Sequence, residues 1–323
     1  MVCVSMILLA GCEGTKKPTQ TPEEYTPVAP AFNADSAFAY VEKQCEFGPR
    51  VTGTEAHAQC GAWLSDEFTR MGAVVTEQKA TFTLYDGKKV SGLNIIASYN
   101  PEAQDRLIIC AHWDSRPWAD HDLNDAMHHT PIDGANDGAS GVAVLLELAR
   151  LMQNDNPNIG VDLICFDAED CGTPEWDESD GSHEHTWCLG SQYWAEHHHT
   201  EGYTANCAIL LDMVGGQGAR FYQEVMSKHY AGSIVDKVWR AASVAGFSSF
   251  FLMKEGTGIT DDHIPVNTIA KIPCIDIIPH YPDCRESSFG PTWHTVNDDM
   301  AHIDRSTLQA VGQTIIQVLF SEQ

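Results

Sequence analysis

The chain has 323 residues, 43% of them hydrophobic, with 45 acidic against 19 basic side chains and a formal net charge of −26. That length and apolar content suit one large α/β domain with its own core, and the acidity would repel nucleic acid and anionic lipid headgroups, so neither is expected as a partner. Acidity alone names no substrate and reads first as a solvated surface.

The chain opens with a short apolar run, Met6-Ile7-Leu8-Leu9-Ala10-Gly11-Cys12. Its Leu-Ala-Gly-Cys ending resembles a bacterial lipoprotein signal in which Cys12 carries the lipid. The expected location is therefore the bacterial cell envelope, facing the periplasm, with membrane contact only through that anchor. Residues 13–34, rich in Thr, Pro, Lys and Glu, read as a flexible tether. A folded domain is expected from residue 35 to 323. Nothing later approaches the roughly 18 apolar residues of a membrane span.

Within the domain, Asp35 to Phe47 places Phe38, Val41 and Cys45 at helical spacing before Gly48-Pro49. A second helix runs from Thr54 to Met71. Val74 to Tyr85 and Lys89 to Tyr99, rich in β-formers around Asp86-Gly87, predict a hairpin. The pattern then alternates. Strands are expected at Leu107–Ala111, Val161–Phe166, Ala208–Leu211 and Ile272–Ile278. Helices are expected at Gly141–Met152, Ser191–His199, Tyr230–Ala245 and Ser306–Phe320, the last capped by Asp304 or Ser306. Alternation of this kind predicts a single globular α/β domain: a mixed, mostly parallel central sheet with an antiparallel edge and helices on both faces.

Eleven cysteines are present. Cys110, Cys165, Cys207 and Cys274 sit in apolar runs and read as small buried hydrophobes. Cys171 and Cys188 flank a polar insertion and could pair in an oxidising compartment. No pair has zinc-ribbon spacing.

Polar groups follow the strands directly: His112 and Asp114 after the first buried strand, Asp167, Glu169 and Asp170 after the second, Asp212 after the third. Sites in open α/β sheets lie beyond the carboxyl ends of strands. A single such aspartate is usually a cap or turn residue, but three successive strand ends bearing carboxylate or imidazole point to a site. The Gly134–Gly141 loop, Gly-Ala-Asn-Asp-Gly-Ala-Ser-Gly, opens a helix. It lacks the lysine of a phosphate loop, whereas Asp137 within it suits a divalent cation.

His112-Trp113-Asp114-Ser115, the Asp137 loop, Glu169-Asp170 and Leu211-Asp212-Met213 occur in the order of the zinc aminopeptidase superfamily, which the chain resembles from about residue 35 onward. Phe166-Asp167-Ala168-Glu169-Asp170, Asp262-His263-Ile264-Pro265 and Trp293-His294-Thr295 look closer to its glutaminyl cyclases. The resemblance implies a zinc-dependent catalytic domain that closes N-terminal glutamine of peptides into pyroglutamate with release of ammonia. It implies one zinc per chain, held by Asp137, Asp170 and His294, with aspartate at 170 where the family often has glutamate. Glu169 is implied as general acid/base, Asp262 and Asp212 as supporting catalytic carboxylates, and Trp293, Phe289 and either Trp176 or Trp187 as pocket walls.

A two-zinc aminopeptidase is the rival: His112 and Asp212 could hold a second zinc with Asp137 bridging. A non-catalytic peptide-binding lipoprotein is disfavoured because no site residue has been lost. The expected partners are peptides or proteins with N-terminal glutamine, and a monomer is expected. His128-His129 and His197-His198-His199 read as adventitious clusters. The acidic segment from Thr173 to Trp187 is placed to border the site mouth, as a lid, a calcium loop or, more simply, a solvated loop.

Overall fold

The computed structural model describes residues 30–155, 157–177 and 183–321. The signal at 1–12 and the tether as far as residue 29 lie outside the described residues. Packing against the domain is already present before residue 35. Phe32 is buried and its ring occupies the space that the missing side chain of Gly312 leaves open. Asn33 then caps the first helix, accepting from the Asp35 and Ser36 amides. An aromatic residue with a glycine to receive it, followed by a capping residue, leads into the first helix.

Strands β1 (Val74–Thr83), β2 (Lys89–Tyr99), β3 (Arg106–His112), β4 (Gly160–Phe166), β5 (Cys207–Leu211) and β8 (Cys274–Ile277) form one sheet in the order β1-β2-β4-β3-β5-β8. β1–β2 and β2–β4 are antiparallel, and the remaining pairs are parallel. This is the mixed sheet with an antiparallel edge that the sequence implies. Leu107, Ile109 and Ala111 of β3 face a large core that includes side chains of α1 (Ala34–Cys45), α2 (Glu55–Arg70), α3 (Ala139–Met152), α5 (Val225–Val244) and α7 (Arg305–Phe320). Ile108 and Cys110 face a smaller core with Trp194 of α4 (Leu189–Glu196) and Val266 of α6 (His263–Thr268). Burial on both faces is why these strands read as unbroken apolar runs. Asp162, the one charge inside β4, is paired by Arg106 at 2.8 and 2.7 Å and also accepts from Ser98 and Tyr203.

Three short elements escaped the sequence reading. β6 (Phe221–Gln223) and β7 (Phe251–Glu255) form a separate parallel pair, and α6 is a six-residue helix. All are too short to show a period. α5 begins five residues before the expected Tyr230, because Glu224, a weak capping type, accepts from the Met226 and Ser227 amides. α4 starts two residues early and stops at Glu196, since His197 leaves helical geometry. Each of the nine described cysteines is a free thiol, so the conditional Cys171–Cys188 pairing does not form. Both thiols are buried and turned toward carboxylates, Cys171 to Asp114 and Cys188 to Glu169.

The approach of α3 to the sheet positions the site. A β-carbon on Gly141 would stand 2.2 Å from the Leu211 carbonyl oxygen and 2.8 Å from Ala111 Cβ, so only glycine lets the start of α3 meet the ends of β3 and β5. Gly141→Ala is expected to cost about 1–3 kcal/mol, read as a lower urea midpoint at unchanged slope. Gly232→Ala in α5, where a methyl group meets nothing within 4 Å, serves as the neutral or stabilising control.

Candidate metal centre and active site

The ends of β3, β4 and β5 bring His112, Glu169-Asp170 and Asp212 together, as their positions in the sequence imply. The Gly134–Gly138 loop delivers Asp137 from one side and the loop before Asp298 delivers His294 from the other. His294 Nε2 lies 3.0 Å from Asp170 Oδ1 and 3.7 Å from Asp137 Oδ2. The donor atoms of this trio all lie within 4.8 Å of one another, and all three residues are buried. Both Asp170 carboxylate oxygens are buried without a hydrogen-bond donor. A desolvated carboxylate that receives no hydrogen bond is costly, and a cation between it and its neighbours relieves that cost. One imidazole nitrogen and two carboxylates facing a cavity is a donor set that fits catalytic zinc.

The expected alternate ligand His112 sits at a second convergence. Its Nε2 is 2.9 Å from Asp137 Oδ1 and 3.2 Å from Asp212 Oδ1, and its Nδ1 is 3.4 Å from Asp114. Burial opposes the charge on His112, but these three carboxylates outweigh it and hold the imidazole protonated well above its ordinary range. His112, Asp137 and Asp212 also meet the geometric condition for holding a metal ion.

The surroundings brace these groups. Asp114 accepts the Glu169 and Asp170 amides, both at 3.1 Å. Asp298 accepts the Asn136 and Asp137 amides at 2.7 and 3.0 Å; burial, then the charge of Asp137, pushes its carboxyl up to about 7. Arg116 binds Asp120, which lies 3.5 Å from His294 Nδ1, and donates to the Asp170 carbonyl at 3.1 Å. A histidine ligand is normally oriented by such a carboxylate. Burial pushes the Asp137 carboxyl up to about 6, the charge of Asp170 adds to this, and the bond from His112 opposes it.

Glu169, Asp212 and the metal trio line one cavity of about 470 Å³. Glu169 is 9% exposed. Burial raises its carboxyl well above the ordinary 4.5; His112 acts against this, while Asp261, Asp170 and Asp262 add to it. Phe289, Trp293 and Trp187 form aromatic walls. Trp293 stacks on His294 with centroids 3.8 Å apart, and Trp187 lies nearly parallel to the same imidazole at 6.0 Å.

Two expectations need correction. Trp176 is not a wall of this cavity: it is 38% exposed and packs against Trp118 and His129, so Trp187 takes the place for which the two competed. The carboxylate at the cavity near α6 is Asp261, not Asp262. Asp262 accepts from Ser191 Oγ and is fully buried behind it. Burial, then the charge of Asp212, pushes Asp261 up to about 6. Two adjacent aspartates look alike in sequence; only the turn into α6 decides which one faces the cavity. Arg116, Asp120 and Asp298 also escaped notice, each being polar in a loop without a pattern. Glu175, His183 and Trp187 do border the cavity, as the position of the 173–187 segment suggested. Neither histidine cluster belongs to a metal-type group among the described residues.

The chain is similar to two solved bacterial glutaminyl cyclases. One, from Tannerella forsythia, has 51% identity and a TM-score of 0.88 over 91% of this chain and 100% of that one. The other, from Bacteroides thetaiotaomicron and bound to N-acetylhistamine, has 50% identity and a TM-score of 0.88 over 91% of this chain and 99% of that one. It also resembles aminopeptidase YwaD of Bacillus subtilis, with 27% identity over 77% of this chain; there the match spans only 49% of the relative's length. The family model "Peptidase family M28" matches residues 94–319, from β2 to the end of α7 and across every strand end that builds the cavity, and the chain belongs to that family.

Proposed function

We propose that this protein cyclises the N-terminal glutamine of peptides and proteins to pyroglutamate, releasing ammonia: a glutaminyl-peptide cyclotransferase, an acyltransferase. The observation that carries the reading is one cavity in which a metal trio, a buried acid/base and three aromatic walls converge, in a chain similar over nine-tenths of its length to bacterial glutaminyl cyclases.

Asp137, Asp170 and His294 would hold zinc, one per chain, which would supply Lewis-acid polarisation of the glutamine side-chain amide carbonyl. The chain's own residues do the rest. Asp261 and Glu169 face the same cavity and receive the substrate's α-amine. Glu169 takes a proton from the amine as it attacks the amide carbon and returns one to the departing ammonia; a carboxyl held well above its ordinary range suits both roles. Asp212 braces His112 beside them. Ring closure is intramolecular, so the main demand on the protein is to fold the glutamine into a reactive conformer. Phe289, Trp293 and Trp187 confine it and exclude water, whose attack would give glutamate.

The second reading is a two-zinc aminopeptidase. It is favoured by the His112–Asp137–Asp212 group and by the likeness to aminopeptidase YwaD. The proposal further places the enzyme as a monomer on a lipid anchor at Cys12 facing the periplasm, supported by the Leu-Ala-Gly-Cys run. Its substrates there would be exported proteins with N-terminal glutamine.

Incubation with a Gln-initiated and a Leu-initiated peptide, read by mass spectrometry, separates the readings. Ammonia loss from the first and no cleavage of the second is expected; release of free leucine would make the protein an aminopeptidase. Metal analysis is expected to give one zinc per chain. Asp170→Ala is expected to weaken zinc binding by more than the roughly 10–100-fold that an outer-shell change costs; two zincs per chain would favour the second reading. Glu169→Gln is expected to lower kcat about 10²–10⁴-fold with zinc content unchanged. Because burial keeps Glu169 protonated to higher pH, its base form is lost as pH falls through a raised pKa. The acid limb of kcat in the wild type therefore lies above 4.5, and a limb at or below that value would count against Glu169.

A further inference from the structure

A smaller cavity of about 210 Å³ opens beside the active-site cavity and shares Trp187 and Thr260 with it. Ile264 and Pro265 of α6 and Ile269 just after it make its apolar side. Ile269 is 39% exposed, an isolated large apolar side chain at a cavity mouth. The active-site cavity is lined by six carboxylates, Asp137, Glu169, Asp170, Glu175, Asp212 and Asp261. Among the described residues, none lines the smaller one. In a chain of net charge −26, a recess that shares two lining residues with the site and combines an apolar side with His185, Gln192, Thr260 and Thr268, but no carboxylate among the described residues, is chemically distinct from the site beside it.

The chemistry of the substrate supplies an occupant. The recess meets the active site on its acid/base side: Cys188 lines the recess with its Sγ 3.4 Å from Glu169 Oε1, and Thr260 precedes Asp261. In a peptide, the α-amine and the carbonyl carbon leading to residue two are bonded to the same Cα. A glutamine whose amine rests at Glu169 and Asp261 therefore starts its chain within two bonds of them, close to Thr260 and Trp187, the residues common to both cavities. Resting on the cyclase reading above, we infer that this recess is the subsite for the second substrate residue and selects an apolar side chain such as Leu, Ile or Phe over glycine or an acidic residue.

The test is kcat/KM for a Gln-Xaa peptide series with Xaa = Leu, Phe, Gly and Glu, on the wild type and on Ile269→Lys. The wild type is expected to favour Leu and Phe over Gly by about tenfold, with Glu lowest. Ile269→Lys is expected to remove the advantage of Leu over Gly and to raise Glu relative to Gly. If that variant does not fold, Ile269→Ser carries the same comparison of Leu with Gly. Equal kcat/KM across the series, or a variant that slows every peptide alike, overturns the subsite and leaves the cyclase reading standing. No ammonia loss from any Gln peptide overturns the cyclase reading, and the subsite with it.

Discussion

Asp137, Asp170, Asp212, Asp261 and Glu169 line one cavity, and none is more than 9% exposed. Confining that much carboxylate in a low-dielectric space is costly, and it is relieved either by protonation or by a cation. Both forms of relief are visible. Glu169 and Asp261 lie on the cavity's acid/base side and have raised carboxyls, Asp261 at about 6. Asp170 is the opposite: burial would raise it, yet His294 and Arg116 hold it ionised, with both oxygens undonated. Among side chains, Arg116 gives its hydrogen bonds to Asp120 and meets Asp170 Oδ1 only as an ion pair at 3.7 Å. The relief is uneven across one cavity: Asp170 is held ionised, whereas Asp137, a neighbour in the trio, is raised to about 6 as Asp261 is.

Holding such a set together requires backbone that an ordinary sheet end does not provide. Six non-glycine residues among those described have positive φ, and four border this cavity or its acid/base side: Ala168, Cys188, Met213 and His294. Such conformations are strained and persist only where their surroundings over-determine them. Here the surroundings are the paired amide contacts to Asp114 and Asp298, which pin Glu169-Asp170 and Asn136-Asp137. Gly138, at φ +95, completes the arrangement: its missing Cβ would meet the Asp114 carbonyl at 2.5 Å and His112 at 3.1 Å. The carboxylates that brace the loops are therefore as necessary to the metal trio as the trio is to the chemistry.

The positions of the central strands and the antiparallel edge were legible because each leaves a local mark, a continuous apolar run or a pair of β-rich segments around a turn; the trio Asp137, Asp170 and His294 was implied by the family resemblance and not by any such mark. The rest had no such mark. Asp261 and Asp262 are chemically identical neighbours, and which one reaches the cavity depends on where α6 begins. Trp176 and Trp187 lie in the same polar segment, and only three-dimensional packing puts one on Trp118 and the other over His294. β6, β7 and α6 are shorter than any period could reveal. Arg116 looked like a loop arginine, although it is 1% exposed and links Asp120, the Asp170 loop and the Trp187 face.

Peptide hydrolysis and glutamine cyclisation make the same demand on the carbonyl and differ in the nucleophile, water in one and the substrate's own amine in the other. A fold shared by both within one family must therefore decide the outcome by what surrounds the carbonyl. Here Trp293 lies on His294 and Trp187 runs nearly parallel to it, so two indoles lie close to the imidazole of the metal trio. On the opposite side, His112 Nε2 contacts Asp137 directly at 2.9 Å and draws in Asp212. His112 thus ties Asp137 to Asp212 in one buried group beside the trio. Aromatic walls that limit access of water to the carbonyl favour the folded glutamine's own amine as the nucleophile.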